Sequence, residues 1–412
     1  MPAILRRRNF VLLWLAGLIS ETGDWLLITG MPIYVYYLTG SPLITSTVFI
    51  VEMVPVVLLS SFAGVMIDRW NRGRVLLIIP LAQAVLLGPL LFVHSSAELW
   101  VVYLVAAAQA VLGQFVEPAR TAVLPALVEP DQLGTANGLM GASSNLGRLV
   151  GSSLGGLALV GGSLDTIVIA DAATFLLAGG LIAVTRFGTG SAPVEPSRPV
   201  SVVRAWRDGL SLIVGHRGIC GTFVSMALSS MAQGLFLVLF IVFVDRRLHG
   251  GSAEMGLLRG IQAIGGLAGG LLVGLVGGRL GADRAITFGA LGVGALSLAV
   301  WNGPYATTAI ALYVGLFIAI GVPGMFHTAG TMTYLQLQTP PDSMGRVVGA
   351  LLSVYGGFQV LGMLAAGVLA DRLSVTVILE FQAGLYLLAA LVARLTVRLG
   401  DQGRGGTRPR CS

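Results

Sequence analysis

The amino-acid sequence predicts an all-α membrane protein with twelve transmembrane helices in two pseudo-symmetric six-helix bundles. Three observations lead there. The 412 residues are 55% hydrophobic and only 11% charged, with a mean hydropathy of +0.86, whereas soluble domains carry roughly a quarter charged residues. Long apolar stretches follow one another from Phe10 to Leu399, and the charges gather in the gaps between them. A Pro/Gly/Ser-rich run from Gly188 to Pro199, with turn chemistry and nothing to bury, separates six of these stretches from the other six.

A helix crossing the hydrocarbon layer needs about 20 mostly apolar residues, because in lipid its backbone N–H and C=O groups must pair within the segment. Barrel strands would alternate in polarity, and these stretches do not. In order, the predicted spans cover residues 10–38, 43–66, 75–94, 98–118, 132–160, 164–186, 217–244, 252–277, 285–302, 306–327, 346–370 and 376–398. The corresponding domains are 1–187, an N-terminal six-helix bundle; 188–216, a cytoplasmic linker; 217–400, a C-terminal six-helix bundle; and 401–412, a cytoplasmic tail. In the linker, Val203, Trp206, Leu210 and Val214 fall at helical spacing among Arg204, Arg207 and Asp208, the pattern of an amphipathic helix on the membrane surface.

Every basic residue is an arginine, and arginine placement predicts orientation, since cytoplasmic loops collect the positive charge. With a cytoplasmic N-terminus the inner side receives Arg6, Arg7, Arg8, Arg69, Arg72, Arg74, Arg186, Arg198, Arg204, Arg207, Arg279, Arg284, Arg346 and the tail arginines, against chiefly Arg246, Arg247 and Arg372 outside. Both termini are therefore expected in the cytoplasm of a multi-pass protein of the inner membrane. The +6 net charge is then a matter of topology, and no nucleic-acid partner is needed to explain it. The first apolar run lacks an A-x-A-like cleavage site and is expected to be retained as helix 1. Cys220 and Cys411 lie far apart, so neither a disulfide nor a thiolate metal site is expected.

A shift of 211 residues lays Pro130-Asp131 over Pro341-Asp342, and carries Gly134, Gly138, Gly151 and Gly156 onto Gly345, Gly349, Gly362 and Gly367. Six identities in 27 positions, beginning at the entries to helices 5 and 11, suggest parallel half-repeats.

Between helices 2 and 3, Gly64, Asp68, Arg69, Arg72 and Arg74 form a G-x-x-x-D-R-x-x-R-x-R string, which resembles the loop 2–3 signature of the major facilitator superfamily. A carboxylate at a helix end with a fork of arginines could bridge the two half-bundles at the cytoplasmic face. The second half carries a degraded copy with Gly278 at the aspartate position. In helix 5, Gly138, Gly147, Gly151, Ser152, Gly155 and Gly156 resemble the antiporter motif of proton-driven exporters in that superfamily, with Ser152 in place of its proline. Small residues at this spacing equally serve close helix packing. Gly23-Asp24-Trp25, Leu38-Thr39-Gly40-Ser41-Pro42, Glu117-Pro118-Ala119-Arg120 and Asp171-Ala-Ala-Thr174-Phe175 resemble a branch with enterobactin exporters and macrolide-efflux proteins. One departure stands out, because the helix 4 arginine of many drug–proton antiporters is Gln109 here.

An ionisable group at the bilayer centre costs roughly 2.5–3.5 kcal/mol on insertion scales and needs a partner or a watery cavity. Asp24 and Glu21 share one face of helix 1, and Asp24, midway along it, ranks first as a proton or substrate site. Glu52 sits mid-span in helix 2 beside Pro55 and should face protein, either as a proton carrier or as a neutral acid bonded to a backbone carbonyl. Arg148, deep in helix 5, is expected to pair with a first-half carboxylate and to tune its protonation. Asp171 is expected near the outer interface, Arg259 in an interfacial role or at the second-half cavity, and His327 in packing or hydrogen bonding, with proton coupling as its alternative. Gln109, Met226, Gln233, Phe236, Tyr355 and Gln359 are candidates for the cavity wall, with Phe223, Met231, Phe240 and Phe358 beside them.

These features predict a secondary active exporter of hydrophobic or amphipathic small molecules, such as a drug, a macrolide-like antibiotic or a siderophore. It would work by alternating access and proton antiport, as a monomer in the lipid bilayer. Lipid or lysophospholipid flipping, small-molecule uptake and a non-transporting receptor are the alternatives. No P-loop or H-E-x-x-H string is present, so no cofactor, metal or catalytic residue is expected and the chain does not read as an enzyme.

Overall fold

The structure is a computed structural model that describes residues 3–161, 163–185 and 215–397. Among these, twelve long helices carry the fold: α1 Arg8–Thr39, α2 Pro42–Arg69, α3 Arg72–Leu86, α4 Leu99–Leu127, α5 Leu133–Ala158, α6 Leu164–Ala183, α7 Arg217–Leu248, α8 Ser252–Leu280, α9 Ala282–Asn302, α10 Ile310–Gln338, α11 Pro341–Leu369 and α12 Val375–Thr396. The proposed linker helix of 202–214 and the 401–412 tail lie outside the described residues.

Local chemistry sets the helix boundaries. Gly40 adopts φ 65°, the left-handed conformation that closes α1, and Ser41 then caps α2 by accepting from the Ile44 amide at 3.3 Å, with Pro42 in the first turn. Asn71 caps α3 through the Arg74 amide at 3.0 Å, and Ser163 and Ser374 cap α6 and α12 in the same way. Two helices outrun their sequence expectation. The fourth span was expected to stop at residue 118 and the tenth at 327, yet α4 continues through Pro118 and Pro125 to Leu127, and α10 through Pro323 to Gln338. Inside a bundle, neighbours satisfy the carbonyls a proline leaves open. Separately, the Ala122 carbonyl, on α4 between its two prolines, accepts from Arg72 Nη1 at 3.2 Å.

Eleven of the twelve helices are long and apolar enough to cross a membrane. The exception is α5, whose seven glycines and run of serines, asparagines and Arg148 dilute its hydropathy.

The helix pairings show the two-bundle symmetry. In the first half, α1 packs on α5 and α6, α2 on α4, and α3 on α4 and α6. In the second half, α7 packs on α11 and α12, α8 on α10, and α9 on α10 and α12, which is the same pattern six helices later. The main contacts between halves are α5 on α8 and α2 on α11, and the shift exchanges these two as well.

The repeated glycines occupy matching places in this scheme. A Cβ on Gly151 would meet the α1 backbone at Leu26 N, 3.1 Å away, and one on Gly362 would meet the α7 backbone at Gly234 Cα, also 3.1 Å away. Likewise Gly156 abuts Gly256 of α8, and Gly367 abuts Leu43 and Ser46 of α2. Hydrocarbon offers no hydrophobic gain for bringing helices together, so close backbone approach through small residues supplies the dispersion energy instead.

The halves meet at the end that carries the α1–α2 and α7–α8 turns. There Gly156 faces Gly256, and Tyr36 donates to Asp245 Oδ2 at 3.0 Å across the seam. Toward the end that carries the helix starts of α1, α5 and α11, a Cβ on Gly134, Gly138, Gly141, Gly274, Gly345 or Gly349 would have nothing within 4 Å. The described interface is therefore closed at one end and splayed at the other.

Gly256→Ala would set a methyl 2.5 Å from the Ser152 carbonyl oxygen and 2.7 Å from Gly156 Cα. It is expected to lower stability by about 1–3 kcal/mol. Gly138→Ala, with open space around it, is expected to be neutral or to gain up to about 1 kcal/mol of helix propensity. Thermal unfolding in detergent reads both, and equal effects would contradict a backbone-to-backbone seam.

Candidate functional site

Charged side chains inside the bundle form two separate groups. The first lines a cavity of about 180 Å³ among α1, α3, α4 and α6, bordered by Glu21, Asp24, Gln83, Gly113, Glu117 and Arg120. Arg120 holds it together, with Nη1 donating to Glu21 Oε1 and Nη2 to Glu117 Oε2, each at 2.5 Å. Arg120 and Glu21 keep only 11% and 16% of their side-chain surface exposed, whereas Glu117 keeps 67%, so the Glu21 pair is the desolvated one. Gly17 makes room for the guanidinium, since a Cβ there would stand 2.6 Å from Arg120 Nη1.

Asp24 lies one turn beyond Glu21 on the same face of α1 and lines the cavity without a hydrogen bond or ion pair among the described residues. Asp171 is fully buried where α6 crosses α1, and its carboxylate abuts Gly23 and lies within electrostatic reach of Asp24. Thr174 Oγ1 donates to Asp171 Oδ1 at 3.3 Å, while Oδ2 has no partner. The outer-interface position expected for Asp171 is corrected by this burial. Gln109 Nε2 donates to the Gln83 carbonyl at 3.0 Å, which places the replacement for the missing helix 4 arginine beside the same cavity.

The second group lies between the halves. Arg148 was expected beside a carboxylate, and the structure places it elsewhere. Its Nη2 donates to Gln262 Oε1 of α8 at 2.7 Å, and its guanidinium stands 5.1 Å from the Trp25 ring centre. The reason is the helix surface it occupies. Gly147, Gly151 and Gly155 form the face of α5 against α1 and its acids, and Arg148 lies one residue off that stripe, toward α8. Arg259 of α8 stands 5.5 Å from the Phe236 ring centre and within electrostatic reach of Arg148 and Tyr355.

Of the other candidates, Ser152 accepts from Thr29 Oγ1 at 2.9 Å between α5 and α1. Gly138 stands at the splayed end. Glu52 shares the buried face of α2 with Thr45, Val48 and Pro55 and has no polar partner among the described residues. Arg74 is exposed, and Arg72 reaches α4 of its own half. The side chains of Gly64, Asp68 and Arg69 lie outside the described residues. Gln233 accepts from Tyr386 at 3.3 Å, Gln359 is buried on α11 with its Oε1 unpartnered, and Met226 packs beside Phe223. Phe236 and Phe240 belong to an aromatic core with Trp301 and Phe317, which leaves only the Arg259 side of the Phe236 ring for a cavity wall. His327 is buried, with Nδ1 3.2 Å from the Ile286 carbonyl oxygen. Sequence reasoning missed Arg120 as the cavity's cation because it ended the fourth span at Pro118. The i, i+3 spacing of Glu117 and Arg120 was the available signal.

A bundle of twelve membrane helices with buried charges in its interior, closed at one end and splayed at the other, is the architecture of a membrane transporter. The family model of the Major Facilitator Superfamily matches residues 13–358 and 222–411. The chain belongs to that superfamily and is a multi-pass membrane transporter. It is 22% identical to macrolide efflux protein A of Streptococcus pyogenes over 89% of this chain and 90% of that protein. It is also 22% identical to the uncharacterized MFS-type transporter YfiS of Bacillus subtilis (strain 168), over 98% and 96% of the two chains. Among solved structures, the nucleoside transporter NupG superposes with a TM-score of 0.80 at 13% identity over 95% of this chain and 100% of that one, a likeness of fold alone.

Glu21→Gln, which removes the desolvated carboxylate partner of Arg120 and leaves it only the exposed Glu117, is expected to cost about 3 kcal/mol. Glu117→Gln, at an exposed site, should cost under about 1 kcal/mol. Melting curves of the two variants rank them, and the reverse order would show that the exposed pair anchors Arg120.

Proposed function

We propose that this transporter exports hydrophobic or amphipathic small molecules by alternating access, with proton antiport through the first-half cavity. The observation that carries the reading is Asp24, an unpaired carboxylate one turn from the Glu21–Arg120 pair, in a cavity of about 180 Å³. That volume is below the roughly 300–1,000 Å³ of sites for drug-sized ligands and is ample for water and protons. Coupling and cargo binding then occupy different places, with coupling inside the first half and cargo between the halves.

Residues 1–187 and 217–400 act as the two rocking bodies, joined by the 188–216 linker. With both termini in the cytoplasm of the inner membrane, the splayed end faces inward, ready to load cargo from the cytoplasm or the inner leaflet. In the opposite state cargo leaves and Asp24 takes a proton from outside, and return to the splayed state releases that proton inside as new cargo loads. The relative named for macrolide efflux supports the outward direction.

The test is accumulation of a panel of macrolides, dyes and siderophores in an efflux-deficient bacterial host. Wild type should lower accumulation of at least one compound several-fold, and either Asp24→Asn or a protonophore should reverse it. With the protein shown to be in the membrane, an unchanged level for every compound would overturn the export reading. Export that survives both treatments would remove the proton and Asp24 from it.

A further inference from the structure

Resting on the export reading, the class of cargo can be narrowed by the two guanidiniums between the halves. We propose that Arg148 and Arg259 together receive the anionic group, a carboxylate or a phosphate, of an amphipathic cargo whose apolar body lies against Trp25 and Phe236.

Four features of the structure support this. Arg148 and Arg259 project from facing stretches of α5 and α8, where a Cβ on Gly260 would stand 2.7 Å from the Leu149 carbonyl oxygen and 3.4 Å from that of Arg148. Two like charges are thus brought together by a backbone contact that leaves them little freedom to separate. Among the described residues no carboxylate forms an ion pair with either one, because the interior ion pairs belong to Arg120. Their neighbours are neutral: Gln262 at 2.7 Å, the Trp25 and Phe236 rings at 5.1 and 5.5 Å, and the Tyr355 phenol. Donors remain open, since Arg148 Nε and Arg259 Nη1 are buried without an acceptor.

A guanidinium cannot escape this situation by shedding its proton. An anion supplied from outside the chain would relieve both the repulsion and the unused donors, and the guanidinium fork matches a carboxylate or phosphate in two-point geometry. Location points to cargo rather than scaffold. The backbone seam that starts at Gly156 and Gly256 reaches Gly260 beside Leu149, so Arg148 and Arg259 lie at its inner limit, next to the splayed end. A molecule entering between the halves meets them where the opening ends.

Three probes with one fluorophore test the assignment: dansylglycine, an anion; dansylamide, which is neutral; and dansylcadaverine, a cation. Binding to purified protein in phosphatidylcholine nanodiscs is read by dansyl fluorescence. The anion is expected to bind about tenfold or more tighter than the other two, the size of one charge-assisted contact. Arg259→Gln and Arg148→Gln should each erase that preference while dansylamide affinity holds, and Arg259→Lys should retain part of it. The neutral probe and the lysine variant separate loss of charge recognition from loss of fold. Equal affinities, preference for the cation, or an anion preference that survives both glutamine variants would overturn the proposal and leave export standing. Displacement of dansylglycine by phosphatidylglycerol or inorganic phosphate at moderate concentration would also overturn it, assigning the pair to a lipid headgroup or a bare anion. If no probe binds while the accumulation assay still shows export, the assignment fails alone.

Discussion

The close approach of α5 to two partners at once is the constraint on which the remainder of the structure depends. One face of this helix, through Gly147, Gly151 and Gly155, lies on the backbone of α1, and the next face, through Gly156, lies on Gly256 of α8. α1 belongs to the same half and α8 to the other, so one thin helix sets both the packing of a bundle and the spacing between bundles. In lipid, where apolar side chains gain nothing by leaving hydrocarbon, such backbone contacts are a main source of helix adhesion. The same feature fixes the electrostatics. Placing α5 against α1 turns Arg148 away from the acids of the first half, and placing it against α8 brings Arg148 to Arg259.

The two charge groups show how differently a membrane interior treats ions. Arg120 is matched by Glu21 and Glu117 and closes its account within one half. Asp24, Asp171 and Glu52 form no ion pair, although Arg120 lines the same cavity as Asp24, and Arg148 and Arg259 remain as cations without a carboxylate partner among the described residues. A static protein would pair such groups or replace them with apolar residues. Their persistence is consistent with a protein whose interior is completed by things that pass through it.

Much of this architecture was legible in the chain. Hydropathy located the twelve helices, turn chemistry at Gly40-Ser41-Pro42 and Asn71 marked two boundaries, and the 211-residue shift found glycines that pack alike in the two halves. Errors arose where a local rule met tertiary context. The fourth span was ended at Pro118 and the tenth at His327, short of the observed ends at Leu127 and Gln338, and with the fourth helix cut short Arg120 fell outside the predicted membrane segment. The direction in which Arg148 points was not legible either. Two neighbours on α5 differ by about 100° of rotation, and only knowing which stripe lies on α1 decides whether an arginine meets acids or another arginine.

The composition of α5 has a consequence for how the protein is made. A segment this rich in glycine, serine and asparagine, with an arginine at its middle, falls short of the apolarity with which its neighbours enter a bilayer unaided. Its membrane insertion during synthesis then depends on a companion, and α1, already threaded and carrying the complementary face, is the one at hand. The small residues that let the finished helices touch thus also tie the biogenesis of the fifth span to the first.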